Sequence, residues 1–265
     1  MSELAPCKKR IGDFAKHELN LAMNWSASKT TGDSGDSMSV ALQDRRSLQL
    51  MLSLILLIVL TPFLENHRLG EFILVFLTFI TLITSLLELH GKGTLHWLAF
   101  VITIPAVFVL SFGLFHPARW ILVTDYALLL AFFGISSVAL FSYLGQPGAI
   151  TSGRIYASVS LYLMLAVFWD ALYNLIESAY PGSFAETGRI TLSTIPRSGF
   201  FYFSLVTLTT LGYGDIVPVS PVARIFSALE GVAGVLYIAI TVARLVASYQ
   251  RIEVERTEAF ETDRR

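Results

Sequence analysis

Residues 199–218 read GFFYFSLVTLTTLGYGDIVP, and this stretch decides how the chain folds. Phe200 to Thr209 is apolar but only about ten residues long, far too short to cross a bilayer and return. Runs of that length are re-entrant or interfacial segments. Pro196-Arg197-Ser198-Gly199 punctuates the chain before it, and Gly212 and Gly214 make a glycine-rich turn after it, followed by Asp215 and Pro218. If long apolar segments flank this stretch, the order is helix, half-helix, glycine-rich loop, helix.

Such segments are present. Working outward, apolar runs cover about Ile155 to Ile176 and Val222 to Val246 on either side, with four more upstream. These are about Ser47 to Leu64, Phe72 to Leu87, Thr94 to Phe115 and Trp120 to Leu144. A spanning helix needs roughly 17 to 25 such residues, and Phe72 to Leu87 is the shortest of the set. Over the whole chain of 265 residues, 54% are hydrophobic and 15% charged. Soluble domains carry about 25% charged residues, so the composition is that of a membrane protein. With a net charge of −1, nothing suggests nucleic-acid binding. The lone Cys7 excludes an intrachain disulfide framework and a cysteine metal cluster. Met1 to Arg46 has no apolar core of the signal-peptide kind.

With both termini cytoplasmic, Lys and Arg gather on the inner side, from Lys8 through Arg46 and Lys92 to Arg154, Arg244 and the C-terminal arginines. Arg68, Arg119, Arg189, Arg197 and Arg224 fall outside. The positive-inside rule favours that orientation. Glu177 to Ile195, polar and holding Pro181 and Gly182, then reads as an extracellular turret.

Gly212 and Gly214 alternate with Leu211 and Tyr213. Successive carbonyls aimed one way require left-handed or otherwise uncommon backbone angles, which glycine reaches without steric cost. Irregular backbone at membrane depth is tolerated only where it lines a wet cavity or is buried in protein. The run Thr209-Thr210-Leu211-Gly212-Tyr213-Gly214-Asp215 resembles the signature of potassium channels, whose filter loops read TVGYG. The resemblance extends from about Gly199 to Val246 and is greatest to prokaryotic six-helix members.

That resemblance implies an all-α membrane protein: six transmembrane helices with a re-entrant pore helix and filter loop between the fifth and sixth, assembled as a homotetramer in a lipid bilayer. The implied parts are a cytoplasmic N-terminal tail at 1–46, a four-helix peripheral domain at 47–144, a pore domain at 153–248 and a C-terminal tail at 249–265. Within the pore domain they are an outer helix 153–177, turret 178–198, pore helix 199–209, filter 210–214 and inner helix 221–248. Carried over by position, Thr210, Leu211, Gly212, Tyr213 and Gly214 form the filter. The carbonyls of Thr210 to Tyr213 bind K+, with the Thr210 hydroxyl at the cavity side. Asp215, Tyr202, Phe203 and Val206 support the filter, and Gly234 aligns with the hinge glycine of the inner helix. Tyr202 and Phe203 replace the family's frequent tryptophans, and Val206 replaces a glutamate found beside the filter in some members. The implied function is passive, K+-selective conduction in a cell (inner) membrane, with K+ as permeant ion, no cofactor, no ligand-binding domain on this chain and no enzyme activity. A weakly selective cation channel, or a non-conducting subunit of a potassium transport complex, are the alternatives.

Between Trp120 and Gly153 there is no Lys or Arg, so the fourth span lacks the stacked charges of a voltage sensor. Its four-helix unit is then a packing collar or a gate worked by another stimulus. Three acids lie within spans, Asp125, Asp170 and Glu230. Each serves structural hydrogen bonding or gating. Asp125 and Asp170 fall at similar depth and are expected in one polar cluster with Tyr126, Asn174 or Arg119; Glu230 is expected to accept from Ser204 or Thr207. His17, His67, His90, His96 and His116 show no metal-ligand spacing. Ser26 to Ser39 has a disordered composition, Phe14 to Met23 is weakly amphipathic, and Pro147-Gly148 is expected as a turn.

Overall fold

A computed structural model of the chain describes residues 42–88, 94–115, 118–146, 151–187 and 195–263. The expected N-terminal segments, Cys7, His17, His90, Lys92, His116, the Pro147-Gly148 turn and turret residues 188–194 lie outside the described residues.

Six helices are long and apolar enough to cross a membrane. They are α1 (Leu42–Leu64), α2 (Arg68–Glu88), α3 (Thr94–Gly113), α4 (Arg119–Leu144), α5 (Ser152–Ala179) and α7 (Pro221–Asp263), the last spanning over Pro221–Arg244. The short α6 (Arg197–Leu208) lies between α5 and α7. Each is a continuous apolar stretch that satisfies its own backbone, the condition for crossing hydrocarbon. Thr and Ser within them turn their hydroxyls onto carbonyls four residues earlier, as Thr61 does to Leu57 (2.6 Å) and Thr103 to Ala99 (2.8 Å). α5 starts at Thr151, whose side chain accepts the Arg154 N–H at 3.4 Å.

Two apolar cores share α5. One joins Leu50 and Leu54 of α1, Leu82 of α2, Ala99 of α3, Phe132 and Phe133 of α4, and Leu161 and Met164 of α5. The other gathers Tyr173 of α5, Phe200, Phe203 and Leu208 of α6, and Ala223 of α7. Glu88, which stands at the end of an apolar run in the sequence, is buried in the fold and accepts from Ser47 Oγ at 3.0 Å.

Two features depart from the expected outline. A small antiparallel sheet interrupts the otherwise helical fold, pairing β1 (Phe184–Glu186) of the turret with β2 (Ile216–Pro218) just after the filter loop. Its turn is organised by Glu177, whose carboxylate accepts the backbone N–H groups of Gly182, Ser183 and Phe184 at 2.8, 3.0 and 3.2 Å. Second, α7 does not end near 248 but continues to Asp263. No Gly or Pro follows Gly234 in that stretch to stop it.

Candidate functional site

α6 brings the loop into place. Its N-cap is Pro196, which has no side chain to satisfy the first N–H groups. Glu65, just past α1 and 133 residues away in the chain, supplies the cap instead. One carboxylate oxygen accepts the Ser198 N–H at 2.9 Å, and the other accepts the Ser198 hydroxyl. A carboxylate there also complements the positive end of the helix dipole. At the opposite end the dipole's negative pole points toward the loop.

The loop leaves α6 at Thr209 and turns sharply. The Thr210 N–H donates to the Thr207 carbonyl at 2.9 Å, while the Leu211 and Gly212 N–H groups both donate to the Val206 carbonyl, at 2.9 and 3.3 Å. In a trans peptide the N–H and the preceding carbonyl point in opposite directions. With these amides turned back to α6, the carbonyls of Thr209, Thr210 and Leu211 are aimed away from it. Thr210, Gly212 and Gly214 hold φ of 60°, 56° and 76°, all positive, with Leu211 and Tyr213 at negative φ between them. Every residue from Thr209 to Asp215 is exposed on the single protomer. Nothing lies within 4 Å of where a Cβ would stand on Gly212 or Gly214, so glycine is required there by backbone angle and not by space. Thr210 reaches the same region with a β-branched side chain, at a cost of about 1–3 kcal/mol.

Supports surround the loop. Tyr202 stacks on Tyr213 with ring centroids 6.4 Å apart, and its hydroxyl stands near Asp215. The Tyr202 hydroxyl favours the ionised form and so holds the Asp215 carboxyl below the usual carboxylate range, aided by the Ile216 N–H at 3.0 Å. Thr187 ties the turret to the same end: its hydroxyl donates to the Gly214 carbonyl at 2.9 Å and its N–H to the Asp215 carbonyl at 2.7 Å. Val206 acts through its carbonyl, and its side chain is buried. Phe203 faces the other way from Tyr202. Its ring packs 5.1 Å from Tyr173 and 5.6 Å from Phe184, on the side of α6 that meets α5.

At the inner end, the Tyr162 hydroxyl of α5 donates to the Leu208 carbonyl at 3.3 Å. Gly234 of α7 lies against the same carbonyl, and a Cβ built on it would stand 2.0 Å from that oxygen. Close approach of α7 to the end of α6 therefore requires glycine at 234. Behind α6, Glu230 is fully buried, with Ser204 Oγ 2.6 Å from its Oε1 and the Tyr173 hydroxyl donating to its Oε2. Asp125, Tyr126, Asp170 and Asn174 line one small cavity, with Asn174 Nδ2 donating to Asp170 Oδ1 at 2.9 Å. Arg119 instead donates to the Ser178 and Ala179 carbonyls at the end of α5, both at 2.7 Å.

Glu65, Thr187, Tyr162 and Tyr173 are supports that sequence reading misses. Each acts across a long chain separation, which leaves no spacing signature.

Comparison with known proteins bears on the same segment. Residues 155–251 match the family model described as "Ion channel". The potassium voltage-gated channel protein shk-1 of Caenorhabditis elegans is 36% identical over 100 residues, 37% of this chain and 18% of that one. The human A-type voltage-gated potassium channel KCND3 is 41% identical over 71 residues, 26% of this chain and 10% of that one. The inward rectifier potassium channel Kirbac3.1 of Paramagnetospirillum magnetotacticum is 31% identical over 88 residues, 33% of this chain and 25% of that one. The chain thus spans a quarter or less of the length of these relatives. The half-helix α6, the loop that follows it and most of the two flanking helices fall within residues 155–251, the segment that is similar to the ion-channel family model.

Proposed function

We propose that four copies of this chain surround an axis and conduct K+ passively through the carbonyls of Thr210, Leu211, Gly212 and Tyr213, with the Thr210 hydroxyl at the inner end. The observation that carries this reading is the left-handed backbone at Thr210, Gly212 and Gly214 together with amides turned back onto α6. Oxygens so aimed replace the water a K+ ion sheds, and one chain cannot surround the ion. Exposure supports the tetramer. Irregular backbone at membrane depth cannot face lipid, so the exposed run 209–215 requires neighbouring copies and a wet axis. α7 adds to this, since Val232, Val235 and Leu236 are about half exposed on one protomer.

The protein then works in a cell (inner) membrane with both termini in the cytoplasm. Its gate does not depend on a moving α4, because no Lys or Arg lies between Trp120 and Gly153. The purified chain in liposomes should pass K+ and discriminate against Na+. Reversal potentials in mixed K+ and Na+ near those of an unselective pore would instead establish a weakly selective cation channel, and a particle without fourfold symmetry would overturn the reading.

A further inference from the structure

Glu230 sits at the junction of three helices, and counting hydrogens there fixes its chemical form. Ser204 Oγ lies 2.6 Å from Glu230 Oε1 and 2.9 Å from the Ala166 carbonyl oxygen. A serine hydroxyl has one hydrogen to give, while a carbonyl has none and an ionised carboxylate has none. If Glu230 were ionised, one of these two close oxygen pairs would have no hydrogen between them and would repel. The Tyr173 hydroxyl cannot supply the missing proton, since it lies against the other carboxylate oxygen, Oε2. Glu230, Tyr173 and Ser204 are all fully buried, so bulk water does not relieve the conflict.

We infer that Glu230 carries its proton and acts as an uncharged link. Its carboxyl hydrogen is donated to Ser204 Oγ, Ser204 donates to the Ala166 carbonyl, and Tyr173 donates to Oε2. Every oxygen in the chain then has a hydrogen facing it. The link runs from α7 through α6 to α5 on the face of α6 opposite the loop. It holds Ser204 two residues before Val206, whose carbonyl anchors the Leu211 and Gly212 amides. Glu230 is therefore a positioning residue for the filter, working by geometry and not by negative charge. From α5, Tyr162 and Tyr173 are the titratable groups that face it; α6 presents Ser204. The inference rests on the filter reading for its consequence, though not for the proton itself.

Two variants separate geometry from charge. Glu230→Gln keeps the shape, with its amide nitrogen donating to Ser204 and its oxygen accepting from Tyr173. Glu230→Asp keeps the acid but shortens the reach. In proteoliposomes, E230Q should retain wild-type K+-over-Na+ selectivity and E230D should lose about tenfold of it, the scale of one buried hydrogen bond. Infrared spectra of the wild-type full chain should show a protonated-carboxyl carbonyl band that E230Q lacks. A wild-type spectrum matching that of E230Q in this region overturns the inference, as does selectivity lost in E230Q but kept in E230D. Should the wild type pass no selective K+ flux, the filter reading fails, and the infrared comparison still decides the state of Glu230. That comparison needs only the wild type and the isosteric variant, so it stands if E230D does not fold.

Discussion

Gly212 and Gly234 illustrate two different uses of a missing side chain. At Gly212 the φ of 56° is the obstacle and the surrounding space is open. Gly212→Ala should cost about 1–3 kcal/mol per protomer in backbone strain. K+ flux should vanish while the particle keeps its size on gel filtration. At Gly234 the space is the obstacle, since a Cβ would meet the Leu208 carbonyl oxygen at 2.0 Å. Gly234→Ala should force α7 away from α6 and cost about 1–3 kcal/mol, read as a lower melting temperature of the purified protein. Tyr202→Phe tests the outer end of the loop. Because the Asp215 carboxyl is held below its usual value, the support from the Tyr202 hydroxyl is intact above about pH 4 and is lost as pH falls through the lowered value. Without that hydroxyl Asp215 should take up its proton at higher pH, measured by titrating K+ flux from the outer side. At this scale the glycines were legible, because an angle that only glycine reaches leaves a glycine in the sequence. The left-handed Thr210 was not, since nothing in a threonine announces a φ of 60°.

Among elements, the half-helix α6 depends on residues it does not contain. Glu65 caps its first turn, Thr187 fixes the loop beyond its end, and Tyr162 reaches its last carbonyl. Removing a cap of this kind costs about 0.5–2 kcal/mol. Glu65→Ala should therefore speed amide hydrogen exchange in the first turn of α6, with little change in α3. Equal protection in the variant and the wild type would show that Glu65 does not hold the helix. The order of elements could be read from apolar run lengths and from the short run at Phe200 to Thr209, which no spanning helix could accommodate. The β1–β2 pairing could not, because three-residue strands have too little alternation to detect and their partners lie some thirty positions apart, Phe184 opposite Pro218. The run-on of α7 was open for a related reason. Acidic and basic residues alternating after Arg251 suit a helix and a solvated tail equally.

For the whole molecule, the separation into two cores divides labour. α1 to α4 pack on one part of α5, joined there by Phe201 of α6 and Tyr237 of α7, while β1, β2 and the rest of α6 and α7 pack on another. An α4 without Lys or Arg between Trp120 and Gly153 lacks stacked positive charges to move through the field, where each would be worth about 2.3 kcal/mol per 100 mV. The conductance of the reconstituted protein should accordingly change little between strongly negative and strongly positive potentials. A steep curve carrying several gating charges would contradict this. The core of α1 to α5 lies within a single protomer and includes none of the residues 209–215. A chain damaged only in the loop keeps this core and, in the proposed tetramer, should compete with an intact one for a place around the axis. Mixed in equal amounts with normal copies, such a chain would leave about one sixteenth of the assemblies untouched. In that proposed ring, a protomer core that excludes the loop would leave the whole assembly exposed to its weakest member.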